Sequence, residues 1–234
     1  MADRFFTDKP LSPGEFILEG AEAHHLGAVR RFSPGDRVVL FNGDGGEYPA
    51  EIVSVGKRQA VLQVRTREEP NREVSFPLVV GAALPKGDRL DFLLEKLVEV
   101  GAKHFIPLIT VRSVVRPTAA KLEKWRRAVI EASKQCGRNT LMTVQEPLAL
   151  EVFVNREYAA KQWLLHTSGG EPIIEPLADP EYGCAFAVGP EGGFDDGEVE
   201  MAIGAGWSQL CLGPRVLRIE TAAIIAASRA AMGQ

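Results

Sequence analysis

Two glycine-proline loops near the C-terminus, each directly behind a short apolar run, constrain the fold of this chain more than any other feature. The run Cys184 to Val188 enters Gly189-Pro190-Glu191-Gly192-Gly193-Phe194, and the run Gln209 to Leu212 enters Gly213-Pro214-Arg215-Val216-Leu217-Arg218-Ile219-Glu220-Thr221-Ala222. A short apolar run without helical period, punctuated by glycine and proline, reads as a buried strand that turns sharply. Glycine leaves backbone N–H and C=O groups bare for close approach by a flat ligand, and in open α/β sheets ligands settle outside the carboxyl ends of strands. One such turn also reads as a tight corner that binds nothing. A second, at a distance that fits strand, helix, strand, loop, makes a shared ligand site the better reading.

Between the loops, Asp195 is placed to cap a helix over 196 to 205, with Glu198 in the reciprocal position of a capping box and Gly204 and Gly206 marking the end. After the second loop, Ala222 to Ala231 is alanine-rich and predicts a helix. Arg215, Arg218 and Glu220 sit just before it. Two arginines and a carboxylate within a glycine-proline loop read as a polar site, the alternative being a solvated surface pair. His166 ends a predicted strand over Trp163 to His166 and either lines the same cleft or packs at its rim.

The first 70 or so residues follow a different rule. Short runs of alternating polarity, Asp36 to Phe41, Ala50 to Val55 and Ala60 to Val64, are separated by Asn42-Gly43-Asp44-Gly45-Gly46 and Gly56-Lys57, the pattern of a small β-barrel or half-buried antiparallel sheet. The polar stretch Pro70-Asn71-Arg72-Glu73 marks a boundary. From Pro77 the pattern becomes strand (Leu78 to Leu84), helix (Leu90, Leu93, Leu94, Leu97 and Val98 on one face, Asp88 placed to cap, Gly101 to end) and strand (Phe105 to Val111). A further amphipathic helix is expected from Thr118 to Cys136. Alternating strands and helices predict an α/β domain with a parallel sheet covered on both faces.

Composition excludes several classes. With 234 residues and 45% hydrophobic content the chain can bury one large core or a large and a small one. No stretch approaches the roughly 18 apolar residues of a membrane helix and the start lacks a secretory apolar region, so a cytoplasmic protein is expected. Cys136, Cys184 and Cys211 are widely spaced, without a Cys-x-x-Cys pair, and His24-His25 lacks partner ligands, so neither a disulfide framework nor a metal site is expected. Trp125 and Trp163 read as packing residues. The net charge of −4 is unevenly spread. Residues 112 to 138 carry Arg112, Arg116, Lys121, Lys124, Arg126, Arg127, Lys134 and Arg138 against Glu123 and Glu131, whereas residues 171 to 200 carry nine carboxylates and no Lys or Arg. A basic segment beside an acidic one suits a protein presenting one face to nucleic acid, or merely a solvated helix. No Gly-x-x-x-x-Gly-Lys-Ser/Thr motif supports a nucleotide hydrolase.

Nearly the whole chain resembles one family. Arg4-Phe5-Phe6, His24-His25-Leu26 with Val29-Arg30-Arg31, Pro34-Gly35-Asp36 leading to Phe41-Asn42-Gly43, then Lys96, Glu99, Gly101, Pro107, Ser113-Val114-Val115 and Gln135-Cys136-Gly137-Arg138 join the two C-terminal loops in this match. The chain is similar to the SPOUT methyltransferase superfamily and, within it, to the ribosomal RNA small subunit methyltransferase E family, which methylates N3 of a uridine in 16S rRNA with S-adenosylmethionine. It departs from the family at Ile219 and Thr167, where threonine and proline are usual, and at Lys134, where glutamate is common. The resemblance implies a SPOUT-type parallel sheet with a C-terminal trefoil knot over 73–234, a PUA-like RNA-binding β-barrel over 1–70, and a homodimer. It implies catalytic roles for Arg215, Arg218 and Glu220. A cofactor pocket would involve His166, Gly189, Pro190, Glu191, Gly192, Leu212, Gly213, Leu217 and Thr221. RNA contacts would come from Arg4, His25, Arg30, Arg31, Arg112, Arg116 and Arg138, with the small ribosomal subunit as partner. A SPOUT enzyme acting on another RNA, or an RNA-binding module without activity, are the competing readings; the second would bind no cofactor.

Overall fold

The computed structural model describes residues 3–115, 117–167 and 176–232. The chain divides into two compact units, Met1–Glu73 with Ile130–Leu141, and Val74–Val129 with Met142–Gln234.

In the first unit, strands β1 (Arg4–Phe6), β2 (Gly14–Glu19), β3 (Arg37–Phe41), β4 (Tyr48–Val55) and β5 (Gln59–Val64) form a curled sheet in the order β1-β3-β4-β5-β2. The β1–β3 pair is parallel and the others are antiparallel. Period-two alternation turns Leu18, Leu40, Ile52 and Leu62 into one core, which Leu26 completes from outside the sheet. Three of these strands match the alternating runs; β1 and β2 are too short or too weakly patterned to be seen in the sequence. Helix α1 (Gly20–His24) and a π-helical turn (His25–Val29) were also unmarked, and they carry His24 and His25.

Residues 130–141 complete this unit. Arg4 donates from Nη1 to Glu47 Oε2 at 2.7 Å and from Nη2 to the Arg138 carbonyl at 3.2 Å and to Asn139 Oδ1. Arg72 Nη1 reaches the same Glu47 Oε2 at 2.7 Å and the Gly137 carbonyl at 3.0 Å. Burial pushes the Glu47 carboxyl upward, but hydrogen bonds from Arg72 and Arg4 hold it below its ordinary value. Lys134, where the family commonly has glutamate, is buried and donates to Glu22 and Glu131 at 2.9 and 3.0 Å. The departure is therefore matched locally by two carboxylates.

The second unit is an all-parallel sheet. Its strands are β6 (Leu78–Ala83), β7 (His104–Ile109), β8 (Thr143–Val144), β9 (Leu148–Ala149), β10 (Lys161–Leu165), β11 (Cys184–Val188) and β12 (Ser208–Leu210), ordered β12-β10-β11-β6-β7-β8 with β9 also on β7. Every residue of β6 and β11 is buried, as expected for strands covered on both faces. The helices are α2 (Arg89–Val100), α3 (Ala119–Cys136), α4 (Leu150–Val154), α5 (Asp196–Gly204) and α6 (Ile219–Met232). Helix α3 starts in this unit and its last turns, from Ile130, belong to the first.

Two helix signals behave differently from each other. Asp195 accepts from Glu198 N at 2.7 Å while Glu198 Oε2 accepts from Asp195 N at 3.0 Å, so the expected capping box is formed. Asp88 occupies the N-cap of α2 but is in helical conformation and makes no side-chain cap bond, so the expectation that it caps is not met. Asp88 instead borders a hollow together with Arg89 and Phe92. Gly101 ends α2 in the left-handed region at φ 98°.

Candidate active site

The ends of β10, β11 and β12 lie level, with Leu165 registered against both Val188 and Leu210, and a hydrogen bond from His166 N to the Leu210 carbonyl at 3.0 Å continues the pairing. The two glycine-proline loops leave from this rim and border a cleft that is open to solvent. Leu165, Val188, Leu210, Leu212, Leu217 and Ile219 supply apolar wall, while His166, Glu191 and Arg215 bring polar groups to it.

Each loop is held in shape. In the first, Gly193 N donates to the Pro190 carbonyl at 2.8 Å, and Phe194 tucks beneath with 4% exposure. A Cβ on Gly189 would stand 3.1 Å from the Phe194 ring and 3.2 Å from its backbone nitrogen, so a side chain there would need Phe194 to give by a few tenths of an ångström. Arg112 Nη1 donates to the carbonyls of Gly192 and Phe194 at 2.7 and 3.3 Å, and Glu198 Oε1 accepts from Val111 N at 2.8 Å. In the second loop, Gly213 adopts φ 108°, with open space where a Cβ would stand. Ile219, in the family's threonine position, is buried, lines the cleft and begins α6.

A charged bridge joins the loops at their outer side. Arg89 Nη2 donates to Glu191 Oε1 at 2.9 Å and Nε to the Lys86 carbonyl at 3.1 Å, while Nη1 stands 3.9 Å from Glu220 Oε1. Glu220 is 6% exposed, and its Oε2 has no hydrogen-bond donor among the described residues. Arg218 is exposed and shares a hollow with Arg89, Phe92, Glu220 and Thr221.

The structure thus brings His166, Gly189, Pro190, Glu191, Leu212, Gly213 and Leu217 together on the cleft, with Arg215 beside them. Gly192 does not line it, since its carbonyl faces Arg112, and Thr221 borders the neighbouring hollow with Arg218 and Glu220. Of the residues expected to meet RNA, Arg4 and Arg138 are 8% and 3% exposed. Arg4 lies in the Glu47 network and Arg138 forks onto Glu73, with Nη2 to Oε2 at 2.6 Å, so neither guanidinium is presented to a partner. His25 packs edge-on against Phe5 with ring centroids 6.0 Å apart. Arg30 pairs with Asp3, Arg31 is exposed in the left-handed region at φ 57°, and Arg112 is spent on the loop carbonyls. Arg116 lies outside the described residues.

The basic segment is also less available than its charge implies. Lys124 pairs with Asp91, Arg126 with Glu123 and Glu146, and Lys134 with Glu22 and Glu131. Sequence reasoning did not single out Arg89 or Phe92 and read Asp88 only as a helix cap. The signal was there: Leu84-Pro85-Lys86-Gly87-Asp88 is a third glycine- and proline-bearing exit from a buried strand. Among the described residues no group of His, Cys, Asp and Glu is arranged to hold a metal ion, and no helix is long and apolar enough to cross a membrane.

Comparison with known proteins places this geometry. An RNA methyltransferase domain model matches residues 72–231 and an RNA methyltransferase PUA domain model residues 18–65. The ribosomal RNA small subunit methyltransferase E of Synechocystis is 33% identical over 89% of this chain and 70% of its own. The chain belongs to the ribosomal RNA small subunit methyltransferase E family. A Legionella pneumophila protein described as a methyltransferase, solved with the cofactor SAM bound, superposes with a TM-score of 0.92 at 34% identity over 100% of this chain and 98% of its own. The ribosomal RNA small subunit methyltransferase E of Neisseria gonorrhoeae, solved bound to S-adenosyl methionine, gives 0.88 at 28% identity over 97% and 96%. Membership in the family accounts for the α/β unit with its parallel sheet and for the curled N-terminal sheet as a PUA domain.

Proposed function

We propose that this protein transfers a methyl group from S-adenosylmethionine to N3 of a specific uridine in 16S rRNA, on the assembled small subunit in the cytoplasm. The observation that carries the proposal is the cleft itself, two glycine-proline loops at level strand ends in a member of this family. Its chemistry fits the cofactor. Leu210, Leu212, Leu217 and Ile219 offer apolar surface to a purine ring, and Gly213 leaves open the space that a side chain would fill. His166, Gly189, Pro190, Glu191, Leu212, Gly213 and Leu217 would hold the cofactor. When bound, it supplies a methyl group already activated on a sulfonium.

The protein's share of the reaction is then alignment and charge. N3 of uracil is a weak acid, and its lone pair becomes available as its proton leaves, spreading negative charge over the flanking carbonyl oxygens. Arg215 or Arg218 would stabilise that charge, and Glu220 would take the proton. The nucleotide must be unpaired, because N3 lies on its pairing edge. We take residues 1–70 as a PUA-like barrel that holds RNA and 73–234 as the catalytic domain, with a C-terminal trefoil knot. Two copies pair through the catalytic domain.

The test is transfer of labelled methyl from S-adenosylmethionine to small subunits lacking the modification, followed by nuclease digestion and mass spectrometry of the nucleosides. N3-methyluridine is expected. Cofactor binding without transfer to the small subunit would redirect the reading to another RNA, and absence of cofactor binding would overturn it.

A further inference from the structure

Beside the cleft, where α2 begins and the second loop runs into α6, lies a hollow bordered by Arg89, Phe92, Arg218, Glu220 and Thr221. Val216 and Leu217 border both spaces, so a group seated in the hollow would face the cleft across the second loop. Three features call for a ligand. The Glu220 carboxylate is 6% exposed and its Oε2 has no donor among the described residues, a costly state for a buried acceptor. Arg89 is tethered through Nε and Nη2, which leaves Nη1 at 3.9 Å from Glu220 Oε1, too long for a hydrogen bond. Phe92 is 50% exposed at the rim of the hollow, with the Lys96 ammonium 5.7 Å from its ring centroid.

We propose that this hollow is the acceptor-base subsite and that it reads the imide edge of uracil, with Arg89 as a specificity-determining residue. The inference rests on the uridine-methylating reading above. The imide edge presents acceptor, donor, acceptor: O2, N3–H, O4. A site that reads it must present donor, acceptor, donor, and Arg89, Glu220 and Arg218 supply that order of chemistry. Phe92 offers an aromatic face for the base to stack on. Cytosine presents a bare lone pair at N3, which would meet the Glu220 carboxylate as acceptor against acceptor, so the subsite selects against it as well as for uracil. In the reaction the N3–H bond breaks and its proton goes to Glu220. The freed N3 pair forms the bond to the methyl carbon, and the carbon–sulfur bond breaks with its electrons returning to sulfur. The guanidinium groups of Arg89 and Arg218 hold the developing charge on the carbonyl oxygens.

The experiment compares wild type, Arg89→Ala, Arg89→Lys, Glu220→Gln and Phe92→Ala as full-length proteins. It measures cofactor affinity by calorimetry, and kcat and KM on small subunits carrying either the mapped uridine or a cytidine at that position. Glu220→Gln is expected to lower kcat on uridine by about 100-fold or more, with cofactor Kd changed less than about threefold. It should also narrow the preference for uridine over cytidine, since a carboxamide can donate to cytosine N3. Arg89→Ala is expected to lower kcat/KM by about 100-fold, and Arg89→Lys to recover part of it. Phe92→Ala should raise KM with little change in kcat. A loss of cofactor affinity equal to the loss of activity would assign Arg89 and Glu220 to the cleft and overturn the subsite while leaving the uridine reading intact. Activity unchanged in both variants would overturn it too. Wild type that forms no N3-methyluridine would overturn the reading and the subsite together.

Discussion

Gly213 and Glu47 show how differently single residues can be committed. At φ 108° Gly213, which lines the cleft, holds a conformation that costs an L side chain roughly 1–2 kcal/mol. Gly213→Ala is therefore expected to weaken cofactor affinity by about tenfold, some 1.4 kcal/mol, with RNA affinity unchanged; calorimetry against filter binding separates the two. Gly192, expected in the same pocket as Gly213 and Gly189, does not line the cleft, and a Cβ on it would meet Arg112 Cδ at 3.4 Å. Glu47 is committed to stability. Its carboxylate is held in the charged form by Arg72 and Arg4, so its folded pKa lies below its unfolded one. Such a group stabilises above its unfolded pKa and loses that contribution as pH falls through the folded value. Glu47→Gln is expected to cost about 3 kcal/mol at neutral pH by leaving Arg4 buried without its counter-charge. The gap between wild type and variant in urea denaturation should close as the pH is taken below about 4. Cys184, by contrast, is an inert thiol, because burial pushes its pKa up to about 12.

At the scale of the element, Glu198 does more than a capping residue needs to do. One carboxylate oxygen closes the box with Asp195, and the other accepts from Val111 N just beyond the end of β7. Loss of the cap alone, Asp195→Ala, is expected to cost about 1 kcal/mol. Glu198→Ala removes both bonds and should cost about 2 kcal/mol. It should also weaken cofactor affinity more than Asp195→Ala does, because Val111 precedes the Arg112 that holds the Gly192 and Phe194 carbonyls. Thermal melts and cofactor titrations of the two variants, run side by side, check both statements. The same helix shows what was legible beforehand. Its cap, its span and its glycine end are local chemistry, and so are the buried parallel strands β6 and β11, whose unbroken apolar runs state their environment. Strands β1, β8 and β9 have two or three residues each, too few for a period to show, and β2 is too weakly patterned. Asp88 had the right identity for a cap, but its helical backbone keeps the carboxylate from reaching the first-turn nitrogens. In the candidate site the two loops were readable because glycine and proline announce themselves. Arg89 was not, because its role comes from spatial convergence on Glu191 and Glu220, far away in sequence.

At the scale of the molecule, the informative feature is that the chain does not divide at one point. The polar stretch at 70–73 coincides with the first change of unit, yet residues 130–141 return to the first unit from the end of α3. Nothing in the composition of that stretch signals the return, since Lys134 and Arg138 read as part of a basic helix and tail rather than as buried residues. Their charges are matched by Glu22, Glu131 and Glu73, and the backbone between them serves Arg4 and Arg72. A fragment ending at residue 73 would keep all five strands and most of the apolar core, so a hydrophobic ledger alone would grant it stability. It would nevertheless lose Asn139 and the Gly137 and Arg138 carbonyls, leaving Arg4 with donors buried in the intact protein and now short of acceptors, and Glu22 without Lys134. Each unpaired buried polar group costs about 1–3 kcal/mol, and a domain of this size has only about 5 kcal/mol to lose. The fragment 1–73 is therefore expected to be largely unfolded or molten by near-ultraviolet circular dichroism and amide dispersion in NMR. Joining residues 130–141 to its end through a flexible linker should restore a cooperative melt. A fragment 1–73 that melts cooperatively within a few degrees of the linked form would show that the returning segment decorates this unit without completing it.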